Sequence, residues 1–446
     1  MPPQTEAACL LDSGVLYGKR LLLRPDGGVA IFAGFKPGAF SLYFGDAPIF
    51  HFDREGRWQR AYVDGIHVLK GLDNSVQAID RVREGENLVL KRRTYTASET
   101  SAFDDRVRLT AKELLALIDS GRCDSVGPPS RGQPIAIEVL RETLLRIIEW
   151  DESAWHAHSE KYRNAYGALS FLPPDCPSPL ILQATLGVKQ GRAFGGGRSS
   201  DHRIRSPLEF VQHVEDVSAL LGRRVEQCKA VFLGGSDVLR LPVGEIISSL
   251  ETVLRIFRVE PSVRRRHPDP SGETPFRLDG IHTFLDDFGK PMPDPIDWER
   301  FRSLGLIRVS LGIESGSNDV RQFYGKSWSN AALLEWAKAV KNAGIGISPI
   351  VLVGAGGREN TDAHETATAE LINSLPLGPG DVVSLIDAAE IRTSRTLNGP
   401  ESLGFTPLDA SSCDAQRDEL KSRFEPVRSG RKAKVVFYSL DKQGPA

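Results

Sequence analysis

Paired cysteines, excess basic charge and long apolar runs are all scarce in this 446-residue chain. The five cysteines, Cys9, Cys123, Cys176, Cys228 and Cys413, are odd in number and scattered. No two lie near metal-ligand spacing, which argues against a disulfide framework and a zinc knuckle. They read as buried, reduced thiols. The formal net charge is -2, so no broad basic surface points to nucleic acid. The densest basic run, Arg264-Arg265-Arg266, is followed by Pro268 and Asp269 and reads as a solvated loop. No stretch of eighteen apolar residues offers a transmembrane helix. No basic segment followed by an apolar one opens the chain, so no signal peptide is expected and the expected location is cytoplasmic.

Hydrophobic residues make up 40% and charged residues 26%, a soluble balance able to bury a sizeable core. The length suits two or three domains. Residues 14–80 alternate in the β manner. Ser41-Leu42-Tyr43-Phe44 meets Pro48-Ile49-Phe50-His51-Phe52 across Gly45-Asp46, the pattern of a hairpin. Trp58 and Tyr62, four apart in the next strand, are expected to share one face of it, as core of the small sheet rather than as a base-stacking platform. Residues 107–170 turn helical, with Leu114, Leu115, Leu117 and Ile118 expected on one face. From Pro179 onward, strand-like and helical runs alternate. Six βα-type repeats, with strands near 180–187, 230–234, 280–285, 307–313, 347–353 and 381–386, predict a parallel sheet or partial barrel. Such a sheet places its ligand site at the C-terminal ends of its strands.

Three of those ends are glycine-rich. The second strand runs into Gly234-Gly235-Ser236-Asp237, the fourth into Gly312-Ile313-Glu314-Ser315-Gly316, and the fifth into Gly354-Ala355-Gly356-Gly357. One such turn is weak evidence, but three in register are stronger. A glutamate at the end of a buried parallel strand is costly unless paired, so Glu314 reads as a ligand-binding group, with an ion pair to a barrel arginine as the alternative.

Across roughly residues 170–390 the chain resembles the radical S-adenosylmethionine (radical SAM) superfamily. The run Gly312-Ile313-Glu314-Ser315-Gly316 is similar to that family's fourth strand, and the resemblance implies cofactor contacts from Ser310, Glu314 and Ser315. Gly234, Gly235, Ser236 and Asp237 look like its Gly-Gly-Glu motif, with the acid one position later. Gly354 and Ala355 sit where its fifth strand packs the adenine. In the family, the loop after the first strand carries Cys-x-x-x-Cys-x-x-Cys, whose thiolates hold a [4Fe-4S] cluster. Here the three positions hold Val188, Arg192 and Gly195. Valine and glycine side chains cannot ligate iron, and arginine is cationic. The resemblance therefore implies S-adenosylmethionine as a cofactor but a cluster motif that is degenerate. The same loop carries Lys189, Arg192, Arg198, Arg203 and Arg205, either an anion site or a solvated segment. Cys176 and Cys228 precede the first two strands and lie at the wrong end to substitute.

The fold class expected is α/β: a partial (β/α)6 barrel at 179–390, preceded by a small β-rich domain at 1–105 and a helical connector at 106–178, and followed by an extension at 391–446 that packs on the barrel. Three functional readings follow. One is a radical SAM relative that has lost reductive cleavage, with S-adenosylmethionine binding left open. Another is a non-catalytic partner or scaffold protein, docking through an edge such as Phe40-Ser41-Leu42-Tyr43-Phe44. A third is an enzyme with unusual cluster ligands. The substrate is unread.

Overall fold

The computed structural model describes residues 19–25, 28–36, 38–84, 87–125, 137–167, 172–187, 203–235, 238–260, 276–286, 292–326, 328–390, 405–428 and 433–439. Two sheets organise them. The first is antiparallel. Strands β1 (Lys19–Pro25), β2 (Ile31–Lys36), β3 (Ala39–Phe44), β4 (Ile49–Asp53), β5 (Trp58–Val63), β6 (Ile66–Lys70), β7 (Val76–Glu84) and β8 (Asn87–Thr94) form a meander. The ninth strand, β9 (Cys123–Ser125), joins the β1 edge. The β3–β4 hairpin forms as its sequence predicts, with Tyr43 opposite Ile49.

Trp58 and Tyr62 do not share a face. His51 pairs with Arg60 while the next residue, Phe52, pairs with Trp58, so β5 carries one extra residue. Such a bulge breaks the two-residue alternation. Trp58 enters the core, and Tyr62 lies on the opposite face, half-buried. Strand β3 is bonded on both sides, to β2 and β4. The segment 40–44 is therefore no free edge, and strand addition there is excluded.

One face of the sheet is apolar, with Phe35, Phe40, Phe50, Phe52 and Trp58. It packs on helices α1 (Ala97–Asp119), α2 (Ile137–Ile148) and α3 (Glu152–Ala165) through Phe103, Leu144 and Trp155. Helix α1 opens on a capping box, Thr96 with Glu99, which satisfies two orphan N-terminal donors. At its buried side Lys70 donates to both Asp104 oxygens at 2.7 and 2.8 Å and lies over Trp155. Burial holds the Lys70 ammonium down to about 8, against the pull of Asp104.

The second sheet is parallel and seven-stranded, in the order β10 (Pro179–Gln183), β13 (Ala230–Gly234), β14 (Ile281–Leu285), β15 (Leu306–Glu314), β16 (Gly346–Val353), β17 (Val382–Asp387) and β18 (Lys434–Phe437). A two-residue pair, β11 (Thr185–Leu186) with β12 (Arg203–Ile204), follows β10. The six expected strands are present and parallel. The C-terminal run adds a seventh, bonded in parallel to β17 rather than merely packed on the body. Helices α4 (Pro207–Leu221), α5 (Val243–Ile256), α6 (Pro295–Ser303), α8 (Asn330–Asn342) and α9 (Thr361–Ser374) contribute to the core on one face of the sheet, with short α7 (Asn318–Phe323) following β15. The other face buries Phe232, Phe284, Ile350, Leu352 and Ile386 against Cys176. Successive strand residues thus feed two cores, as burial on both faces requires. Helix α10 (Ala410–Arg423) packs beside α9.

Candidate functional site

The fourth strand of the parallel sheet, β15, ends irregularly. Gly312 pairs with Ile350 and Glu314 with Val351, so Ile313 is an extra residue. At the bulge Glu314 takes a φ of 57°, a left-handed conformation uncommon outside glycine, asparagine and aspartate. Its side chain is 0% exposed. A buried carboxylate on strained backbone at a parallel strand's C-terminal end is a functional-site signature.

Glu314 is paired with a lysine, not with the arginine considered from sequence. Lys326 Nζ lies 2.6 Å from Glu314 Oε1 and donates to Asp286 Oδ1 and to the Gly312 carbonyl, both at 2.7 Å. Glu314 Oε2 has no hydrogen-bond partner among the described residues. Burial pushes the Glu314 carboxyl up to about 8, opposed by the Lys326 charge and reinforced by Asp286. Lys326 itself is raised, because Asp286 and Glu314 together outweigh its burial. Lys326 therefore keeps its proton, and Glu314 is the member that protonates most readily.

Arg321 closes the next layer. It is fully buried, donates to the Ser315 carbonyl at 2.8 Å and to Asn318, and lies over the Trp328 ring at 4.2 Å. Ser315 accepts from the Ser317 amide at 3.0 Å and sits 2.8 Å from His364 Nδ1. Burial pushes the imidazole down to about 4, so it is neutral.

The expected cofactor residues fall in three groups. Glu314 and Ser315 are adjacent in this cluster. Gly354 and Ala355 follow β16, the neighbour of β15, and Gly234 and Gly235 lie two strands away, at the end of β13, on the same C-terminal edge. Ser310 stands apart from them. It is four residues earlier on the strand, ~13 Å, and its hydroxyl donates to Asp175 at 2.8 Å. Ser236 and Asp237 lie outside the described residues, as do Val188, Arg192 and Gly195 and most of their basic loop. The glycines serve the protein's own packing. A Cβ at Gly235 would collide with Thr185 Oγ1, and one at Gly316 would collide with the Ala367 carbonyl oxygen. The Gly354 amide donates to Gln416 of α10 at 2.7 Å, and Ala355 accepts from the Tyr324 hydroxyl at 3.0 Å.

Lys326, Arg321 and Asp286 escaped the sequence reading. Lys326 is twelve residues past Glu314, and only the turn after α7 brings it back. The one legible cue was a glutamate that needed a cation. Cys413, unplaceable from sequence, lies near Gly354 at the same edge, its sulfur 3.8 Å from where a Cβ would stand. His282 is buried, but its Nδ1 has no partner among the described residues.

No family model and no curated protein matches the chain. Solved structures show a distant likeness. One is the cobalamin-dependent S-adenosylmethionine radical enzyme OxsB, with aqua-cobalamin and S-adenosylmethionine bound, at 14% identity and a TM-score of 0.32 over 55% of this chain and 30% of that one. Another is the radical S-adenosylmethionine methyltransferase TsrM from Kitasatospora setae, with cobalamin and a [4Fe-4S] cluster bound, at 13% and 0.34 over 65% and 57%. A spore photoproduct lyase variant gives 13% and 0.34 over 64% and 85%. The chain thus spans less than a third of OxsB's length.

Among the described residues no three His, Cys, Asp or Glu side chains converge as a metal site. The positions the resemblance assigns to ligands hold valine, arginine and glycine, none of which supplies a thiolate.

Proposed function

We propose that this chain is a radical SAM-type protein that binds S-adenosylmethionine, or a nucleoside like it, at the C-terminal edge of its parallel sheet, without a [4Fe-4S] cluster and without reductive cleavage. The observation that carries this reading is Glu314: buried, on left-handed backbone, anchored through one oxygen to Lys326 and with the other oxygen unpartnered among the described residues. An unpartnered buried carboxylate oxygen costs free energy that a ligand N–H or O–H would recover. The ammonium and the ribose hydroxyls of S-adenosylmethionine are such donors. Ser315 and the Gly354–Ala355 turn would border the same ligand.

Calorimetry with S-adenosylmethionine tests the pocket. The wild-type chain should bind, and Glu314→Ala should weaken binding roughly tenfold to a hundredfold, the range for a lost charged hydrogen bond. A flat wild-type titration would remove the pocket. Anaerobic treatment with iron and sulfide tests the other half. No cluster absorbance and no 5′-deoxyadenosine are expected, whereas the triple variant Val188→Cys, Arg192→Cys, Gly195→Cys should take up iron. Cluster-proportion iron on the unmodified chain would overturn the loss of the cluster.

A further inference from the structure

The meander has a second face, on which none of the described helices packs. Register places its side chains in two rows. One runs Phe32, Tyr43, Ile49, Tyr62, His67, Ile79 and Arg92 across β2 to β8. The other, one pleat along, carries Ser41, His51, Arg60 and Leu69. Between them lies a groove of ≈ 290 Å³, lined by His51, Arg60, Tyr62, His67 and Arg81 among others. The bulge in β5 is what turns Tyr62 out to this face.

The face has a consistent chemistry. Phe32 and Tyr43 meet edge to face at 5.5 Å, and Tyr62 lies 4.8 Å from His67. Arg60 and Arg81 are exposed, and Arg92 is half-buried. The strand carboxylates lie elsewhere. Asp80 takes the opposite alternation, opposite Lys91. Asp53 is fully buried against Arg57. At the rim, Asp64 is held by Arg106 at 2.8 Å. The chain's overall charge of -2 therefore conceals a locally cationic sheet face set with rings.

We propose that this face binds single-stranded nucleic acid. Rings on a sheet offer stacking surfaces for unpaired bases, and flanking arginines neutralise the phosphates between them. The aromatic row spans β2 to β6, four strand spacings or ~19 Å, which is wide enough for several nucleotides. A duplex would hide its base faces from the rings. An acidic peptide would use the arginines but gain nothing specific from the tyrosine.

The test is fluorescence anisotropy of a labelled twelve-nucleotide oligouridine with the full chain, titrated at several salt concentrations. Binding should weaken as salt rises. Tyr62→Ala should weaken it roughly tenfold at every salt concentration without changing the slope. The double variant Arg60→Ala, Arg81→Ala should lower the log–log salt slope by about 1.4, at about 0.7 per phosphate contact on a single strand. Arg93→Ala is the control: it lies on the opposite alternation, paired with Glu99, and should change nothing. Tyr62 packs on the solvent face, so circular dichroism should show its variant folded. Three results would overturn the proposal: no binding, binding indifferent to Tyr62, or polyglutamate binding as tightly as the oligonucleotide. Uridine monophosphate matching the oligomer's affinity would also overturn it, since a strand would then not be the ligand.

Discussion

The decisive residue is Glu314, and its titration gives a direct check. Its ordinary value is 4.5, and burial raises it to about 8 in the folded chain. The folded state therefore holds a proton that the unfolded chain releases across that window. Stability contributed in this way is complete below the unfolded value and is lost as pH rises through the folded one. Between pH 5 and 8 the wild type should lose up to about 1.4 kcal/mol per pH unit from this group. Glu314→Gln cannot ionise, so urea denaturation of that variant over the same range should show a flatter profile. A variant profile parallel to the wild type would mean that Lys326 holds Glu314 ionised throughout. Buried histidines work in the opposite direction and at lower pH: burial takes His213 and His364 each down to about 4. The difference between the two proteins removes that shared term.

At the scale of elements, the strand ends are held by close packing as much as by hydrogen bonds. Gly316 follows the bulge and presses on α9; its amide donates to Thr368 Oγ1 at 2.8 Å. A Cβ there would meet the backbone of Ala367 and Thr368, which cannot move aside as a side chain could. Gly316→Ala should therefore destabilise by about 1–3 kcal/mol or more and displace the Ser315–His364 contact. Gly244, in the first turn of α5, is the contrast. It is exposed, and a Cβ added there would meet nothing within 4 Å, so Gly244→Ala should be neutral or slightly stabilising, by up to about 1 kcal/mol. Thermal denaturation of both variants checks the pair. Equal effects would mean that the strand end tolerates expansion. Much of this level was legible: the βα alternation and most helix bounds follow from hydrophobic periodicity, because each strand and helix must bury apolar groups at its own period. Two details were missed. The helical reading began ten residues after α1 does, although Thr96 and Glu99 carry the spacing of the capping box that starts it, and the strand-like run at Val435 gave no sign that it would pair with β17.

At the scale of the whole molecule, one arginine joins the two sheets. Arg57 sits in the turn after β4, pairs with Asp53 at 2.6 Å and donates to the carbonyls of Leu220 and Leu221 at 2.6 and 2.5 Å. It thereby satisfies the last turn of α4, whose carbonyls lack helical partners. Glu226 and Gln227 reinforce the junction through the amide and carbonyl of Gly38, at 2.9 and 2.6 Å. Arg57→Ala would leave Asp53 charged and buried, and removing one partner of a buried pair costs about 3–5 kcal/mol. The expected outcome is a lower urea midpoint and earlier proteolytic cleavage between the sheets. The double variant Arg57→Ala, Asp53→Ala should recover part of the loss. An unchanged midpoint in the single variant would show that the junction is held by other contacts.

The sequence by itself determined the local periods: the meander, the hairpin at Gly45-Asp46 and the parallel strands. Each depends on residue type and near-neighbour spacing, which a linear reading contains. It could not determine which cation meets Glu314, since Lys326 reaches it only after α7 turns the chain back. It also could not determine which face Tyr62 presents, because a bulge inverts every side chain beyond it and is defined by pairing with another strand. Partner choice and register belong to contacts between distant segments, and only the tertiary structure decided them.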